Sequence, residues 1–92
     1  MSNPEAVAKL TEKFNERFSK YELVLTAEDV ERGSGVIENG DNGWPLEVPY
    51  RFGVDADGDY LDYYFSYSYH QMTPDHIRIR HNRRDEIGRA HV

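Results

Sequence analysis

The sequence predicts an α+β domain, an N-terminal helix packed on one face of a four- to five-stranded antiparallel meander sheet. Three observations carry that prediction. Apolar residues recur at helical spacing through the first twenty positions. The period then changes to two, and the alternating runs are separated by Gly-, Asn- and Asp-rich breakers. With 92 residues the chain fits one domain, expected over residues 1–82, that buries roughly 65% of its unfolded surface and encloses no large cavity.

The helix is expected over residues 2–20. Ser2 and Asn3 are N-cap residues, Pro4 suits the first turn, and Ser2 to Glu5 has capping-box spacing. Val7, Leu10, Phe14 and Phe18 form one apolar stripe, while Glu5, Lys9, Glu12, Lys13, Glu16 and Arg17 cover the other side. A stripe this narrow predicts a lid on a sheet.

Beyond residue 20, Tyr21, Leu23 and Leu25 alternate with Glu22, Val24 and Thr26, the pattern of a first strand. The polar residues 28–33 read as a turn into a short apolar piece at Val36 and Ile37, and residues 39–43 (NGDNG) as a surface loop. Trp44-Pro45 reads as a plug at one end of the core. Residues 46–54, 59–70 and 76–81 each alternate cleanly. Pro49 lacks an N–H, so strand 46–54 is expected at an edge or with a bulge.

Requiring the apolar sets to share a face fixes a register for both downstream hairpins. In the first, Val54 faces Asp59 around the loop 55–58, pairing Phe52 with Leu61, Tyr50 with Tyr63, and Arg51 with Asp62. In the second, His70 faces His76, pairing Tyr69 with Ile77, Tyr67 with Ile79, Ser68 with Arg78 and Ser66 with Arg80. By the same parity Tyr21, Tyr50, Tyr63, Tyr67 and Tyr69 belong to the core, and Tyr60 and Tyr64 lie outside. Residues 83–92 show no sustained period and are expected to form a flexible tail.

Composition narrows the function. The formal charge is -6, no cysteine is present, and the pI is about 5.1. Disulfides, thiolate nucleophiles and Cys-type zinc sites are therefore excluded, and broad phosphate-backbone binding is disfavoured. Met1 leads into Ser-Asn-Pro-Glu, and no apolar run approaches ~18 residues. Neither a secretory leader nor a membrane span is expected, and the default compartment is the cytoplasm.

Candidate chemistry is sparse. Asp55, Asp57, Asp59 and Asp62 place carboxylates around Gly58, the composition of a low-affinity calcium loop. The glycine stands at the wrong position for a helix–loop–helix calcium motif and the closing glutamate is missing, so an Asp/Gly turn is the favoured reading. His70 and His76, with Asp75, supply too few ligands for a zinc or nickel site. Ser66 and Ser68 beside the histidines show no nucleophile elbow, and the glycine sets at 33–35 and 40–43 lack a following lysine. No cofactor is expected, and the chain reads as non-enzymatic.

The outer sheet face is the distinctive surface. Tyr60, Tyr64, Ser66, Ser68, His70, His76, Arg78 and Arg80 are expected to point away from the helix. Residues 1–74 carry 6 basic and 14 acidic side chains, net -8, whereas residues 75–92 carry 5 and 3, net +2. Tyr and Arg on an acidic body suit a protein interface, including a homodimer. The leading expectation is a small soluble module that binds a protein partner or itself through this face or an edge strand. The alternative is single-stranded nucleic-acid binding by ring stacking and guanidinium–phosphate contact.

Overall fold

A computed structural model describes residues 3–40, 46–66 and 72–81. Helix α1, Pro4–Arg17, starts where Asn3 accepts backbone hydrogen bonds from Glu5 at 2.9 Å and Ala6 at 3.4 Å. It buries Leu10 and Phe14 as the stripe requires, with Ala6 buried and Val7 only half-buried. The helix stops earlier than residue 20 because Phe18 leaves helical geometry, a 3-10 turn occupies Ser19–Tyr21, and Glu22 turns left-handed at φ 59°.

Residues 21–26 are not a strand. Leu23 and Leu25 are buried, but the Asn15 side chain, on α1, takes the place of a neighbouring strand. Leu25 N–H donates to Asn15 Oδ1 at 2.7 Å, and Asn15 Nδ2 donates to the Leu25 carbonyl at 3.3 Å. The polar stretch that reads as a turn is a second helix, α2, Ala27–Arg32. Thr26 and Asp29 close a reciprocal capping box at its start, and Gly33 ends it at φ 85°.

The sheet has four antiparallel strands in the order β1 (Ser34–Glu38), β2 (Glu47–Asp55), β3 (Gly58–Phe65) and β4 (Asp75–His81). The β2–β3 register is the predicted one, with Phe52 opposite Leu61, Tyr50 opposite Tyr63 and Arg51 opposite Asp62. Its turn is tighter than the four-residue loop expected, because Asp55 and Gly58 themselves pair.

The β3–β4 register differs by six residues. Tyr64 faces His76, Asp62 faces Arg78, and Tyr60 faces Arg80. An even shift leaves every side chain on its predicted face, so alternation cannot detect it. The true partners of the basic residues are carboxylates rather than serines, and the chain between the strands is longer than the turn the sequence suggested. The predicted pairs at Tyr67, Ser68, Tyr69 and His70 fall outside the described residues, as do Trp44, Pro45 and the tail 83–92.

Pro49 is not on an edge strand, since β2 lies between β1 and β3. Phe52 N–H donates to the Gly33 carbonyl at 2.8 Å, so even-numbered backbone groups of β2 face β1 and odd-numbered ones face β3. The donor missing at Pro49 is therefore on the β3 side. The β2–β3 ladder ends at the adjacent pair, Tyr50 with Tyr63.

The core lies between α1 and the inner sheet face. Leu10, Phe14, Phe18, Leu23, Leu25, Ile37, Val48, Tyr50, Leu61, Tyr63 and Phe65 are buried in one cluster. Phe14 and Phe18 meet the Tyr63 ring edge-on at 5.3 and 5.2 Å, a favourable quadrupole arrangement. The two buried tyrosines keep their hydroxyls bonded. Arg17 donates to Tyr63 Oη at 2.8 Å, and Tyr50 Oη donates to the Asp29 carbonyl at 2.6 Å. Among the described residues no helix is long and apolar enough to cross a membrane.

Candidate interaction surface

The outer face is ordered by cross-strand rows. One row holds Ser34, Arg51, Asp62 and Arg78, and the next holds Gly53, Tyr60 and Arg80. Beyond them Val36 faces Pro49 and Tyr64 faces His76, with the β2–β3 ladder already ended between the two pairs.

Asp62 organises the first row. Arg78 donates to its carboxylate through Nε at 2.6 Å and Nη2 at 2.9 Å, and His76 Nε2 lies 3.4 Å away. Asp62 is only 8% exposed. The Arg78 hydrogen bonds hold its carboxyl below the ordinary carboxylate range, outweighing the opposing effect of burial. Arg80 likewise grips Asp55 at 2.8 and 2.7 Å, and that carboxyl is held down at about 2. Both arginines already carry forked, charge-assisted hydrogen bonds.

Tyr60 lies beneath them. The Arg78 guanidinium sits 3.9 Å from its ring centroid and that of Arg80 5.5 Å. Its ring packs so closely on Gly53 that any Cβ at position 53 would collide with it. Tyr64 is half-exposed and stacks on His76 with 4.8 Å between centroids.

The predicted calcium carboxylates do not converge. Asp55 and Asp62 serve arginines, and Asp57 N–H donates to Asp55 Oδ1 within the turn. Asp59 is buried on the other face, accepting from Asn3 N–H at 3.2 Å. Among the described residues no three His, Cys, Asp or Glu side chains are grouped to hold a metal ion. Of the predicted face, Tyr60, Tyr64, His76, Arg78 and Arg80 lie together, Ser66 lines the groove described next, and Ser68 and His70 are outside the described residues.

Two features of this surface escape sequence reasoning. A groove of about 350 Å³ runs between Val36, Pro49, Tyr64, Phe65, Ser66 and Pro74, opening where the Pro49 donor is missing. Beside it runs the outer edge of β1, which no strand pairs with among the described residues. The alternation set by Phe52 and Gly33 directs the backbone groups of Gly35 and Ile37 toward β2 and those of Ser34, Val36 and Glu38 away from the sheet. The signal available in the sequence was Pro49 itself, which marks an interrupted ladder as readily as an edge.

The chain matches no known protein family, no curated protein and no solved structure.

Proposed function

We propose that this chain is a non-enzymatic protein-binding module of the cytoplasm that takes an extended segment of a protein partner onto the β1 edge. The observation that carries this reading is the combination of outward backbone groups at Ser34, Val36 and Glu38 with the groove beside them, whose apolar walls of Val36, Pro49, Tyr64 and Phe65 are edged by Glu47 and Ser66. Backbone pairing supplies affinity in such strand addition, and pockets for alternate side chains supply selectivity. Val36, 48% exposed, and Pro49 offer the apolar contacts.

Single-stranded nucleic acid is the less favoured ligand. Arg78 and Arg80 would have to leave Asp62 and Asp55 before meeting phosphate, and the chain is acidic overall.

A photocrosslinking side chain tests the reading at two sites, one replacing Val36 and one replacing Arg78. Protein adducts formed through position 36 and not through position 78 are expected. Equal labelling at both positions, or none at 36, contradicts it. Salt-sensitive oligonucleotide binding lost in Arg78→Ala with Arg80→Ala would favour the nucleic-acid reading instead.

A further inference from the structure

Three charged side chains beside β1 carry the partner's identity further. Glu38 and Glu47 face each other across β1 and β2, two like charges in direct cross-strand contact, an unfavourable arrangement. Among the described residues neither has an ion-pair partner. Arg51, opposite Ser34 on the same face, also lacks one, because Asp62 beside it is held by Arg78. Among the described residues the edge therefore presents an acidic pair without a cation at one end and a cation without a carboxylate at the other.

We infer that the segment β1 receives is β1 of a second copy of this chain, an assignment that rests on the strand-addition reading above. Antiparallel pairing about a two-fold axis at Val36 overlaps the whole strand. It places Val36 against its own copy and Ser34 against Glu38 of the partner. In that register the outward groups of Ser34, Val36 and Glu38 meet only outward groups, so each hydrogen bond has its counterpart. The partner's Glu38 then lies across the small Ser34 from Arg51, with Cα atoms two strand spacings apart, about 9–10 Å, within reach of two long side chains. The two-fold axis makes this contact twice, and each cation without a partner meets a carboxylate without one. The two copies form one eight-stranded sheet, with Val36, Pro49 and Tyr64 of both copies continuous across the seam. Five paired residues a side fall short of the about 1,000 Å² of a stable interface, so the dimer is weak, with a dissociation constant on the order of 100 µM.

Sedimentation velocity from 10 µM to 1 mM, roughly bracketing that constant, tests the inference on the full chain. The wild type should pass from monomer to dimer. Val36→Pro removes only an outward N–H, leaves the ladder to β2 intact, and should stay monomeric with an unchanged circular dichroism spectrum. Glu38→Arg sets two cations against each other and Arg51→Glu two carboxylates. Each should weaken dimerisation by about tenfold or more, and an equimolar mixture of the two should dimerise again because both contacts become opposite in sign. The Glu38→Arg, Arg51→Glu double variant restores opposite signs at both contacts and should dimerise with itself, so a double variant that is folded by circular dichroism yet as weak as Glu38→Arg alone overturns the charge contact. A wild type that stays monomeric at 1 mM, or a dimer indifferent to Glu38→Arg, overturns the self-pairing. If position 36 still captures a different protein in that case, strand addition stands and only the second copy is ruled out. If it captures none, both readings fall.

Discussion

At the β4 edge the outward backbone groups belong to His76, Arg78 and Arg80, and at the β1 edge to Ser34, Val36 and Glu38. The first edge is guarded. Lys13 Nζ, reaching down from α1, donates to the Arg80 carbonyl at 3.3 Å, and the side chains on the outward positions are an imidazole and two guanidiniums. Helix α1 packs on β3 and β4. Cationic side chains along an edge are a standard defence against strand addition, because an approaching strand would have to desolvate them. The β1 edge has two small residues, two aliphatics and a single charge, and α2 packs beside it. Among the described residues the same meander carries a cationic edge flanked by α1 on one side and a less guarded edge on the other, which is why the proposed reading places strand addition at β1.

The comparison breaks most severely if the covered half loses its lid. Phe14 is fully buried against Phe18 and Tyr63, so Phe14→Ala should cost about 3–5 kcal/mol in urea unfolding. α1 should then release β4, making both edges reactive. A loss below about 1 kcal/mol would mean that the helix does not organise this side.

A smaller effect sharpens the outer face. Gly53→Ala drives a methyl into the Tyr60 ring and should destabilise by about 1–3 kcal/mol. It should also displace the Arg78 stack while leaving dimerisation through β1 unchanged. A fully stable Gly53→Ala protein would contradict the close packing of that ring.

The smallest effect is one of pH. The arginine hydrogen bonds hold the carboxyls of Asp55 and Asp62 below the ordinary carboxylate range, Asp55 at about 2. A depressed carboxyl pKa gives stability that is complete above about 4 and is lost as pH falls toward 2, when the folded protein takes up those protons. The urea midpoint should therefore fall between pH 4 and 2. Asp55→Asn combined with Asp62→Asn should flatten that fall. Because the Asp55–Arg80 pair is partly exposed, high salt should reduce its share of the effect.

Much of the architecture was legible because alternation and helical spacing report which face a residue occupies. Leu10, Phe14, Val48, Tyr50, Leu61 and Tyr63 are buried where parity put them. Parity reports nothing about which even-numbered neighbour is opposite, and the β3–β4 register moved by six residues without turning one side chain over. The charge match of Asp62 with Arg78 and of Asp55 with Arg80 decides that register. Leu23 and Leu25 alternate like a strand because extended backbone alternates burial whatever its hydrogen-bond partner, here the Asn15 side chain. Helix α2 was hidden by its polar surface, although Thr26 and Asp29 carry capping-box spacing. The tyrosine–arginine face was readable as a composition. Its neutralisation by carboxylates, and the open edge beside it, depend on the fold.

Amide hydrogen exchange resolved by residue tests the central claim most directly, since it reads both edges in one sample. At 10 µM the outward amides of Ser34, Val36 and Glu38 should exchange about as fast as those of His76, Arg78 and Arg80. At 1 mM the β1 set should slow severalfold, in inverse proportion to the fraction left unpaired, while the β4 set stays unchanged. Equal rates at the two edges across that concentration range would contradict the account.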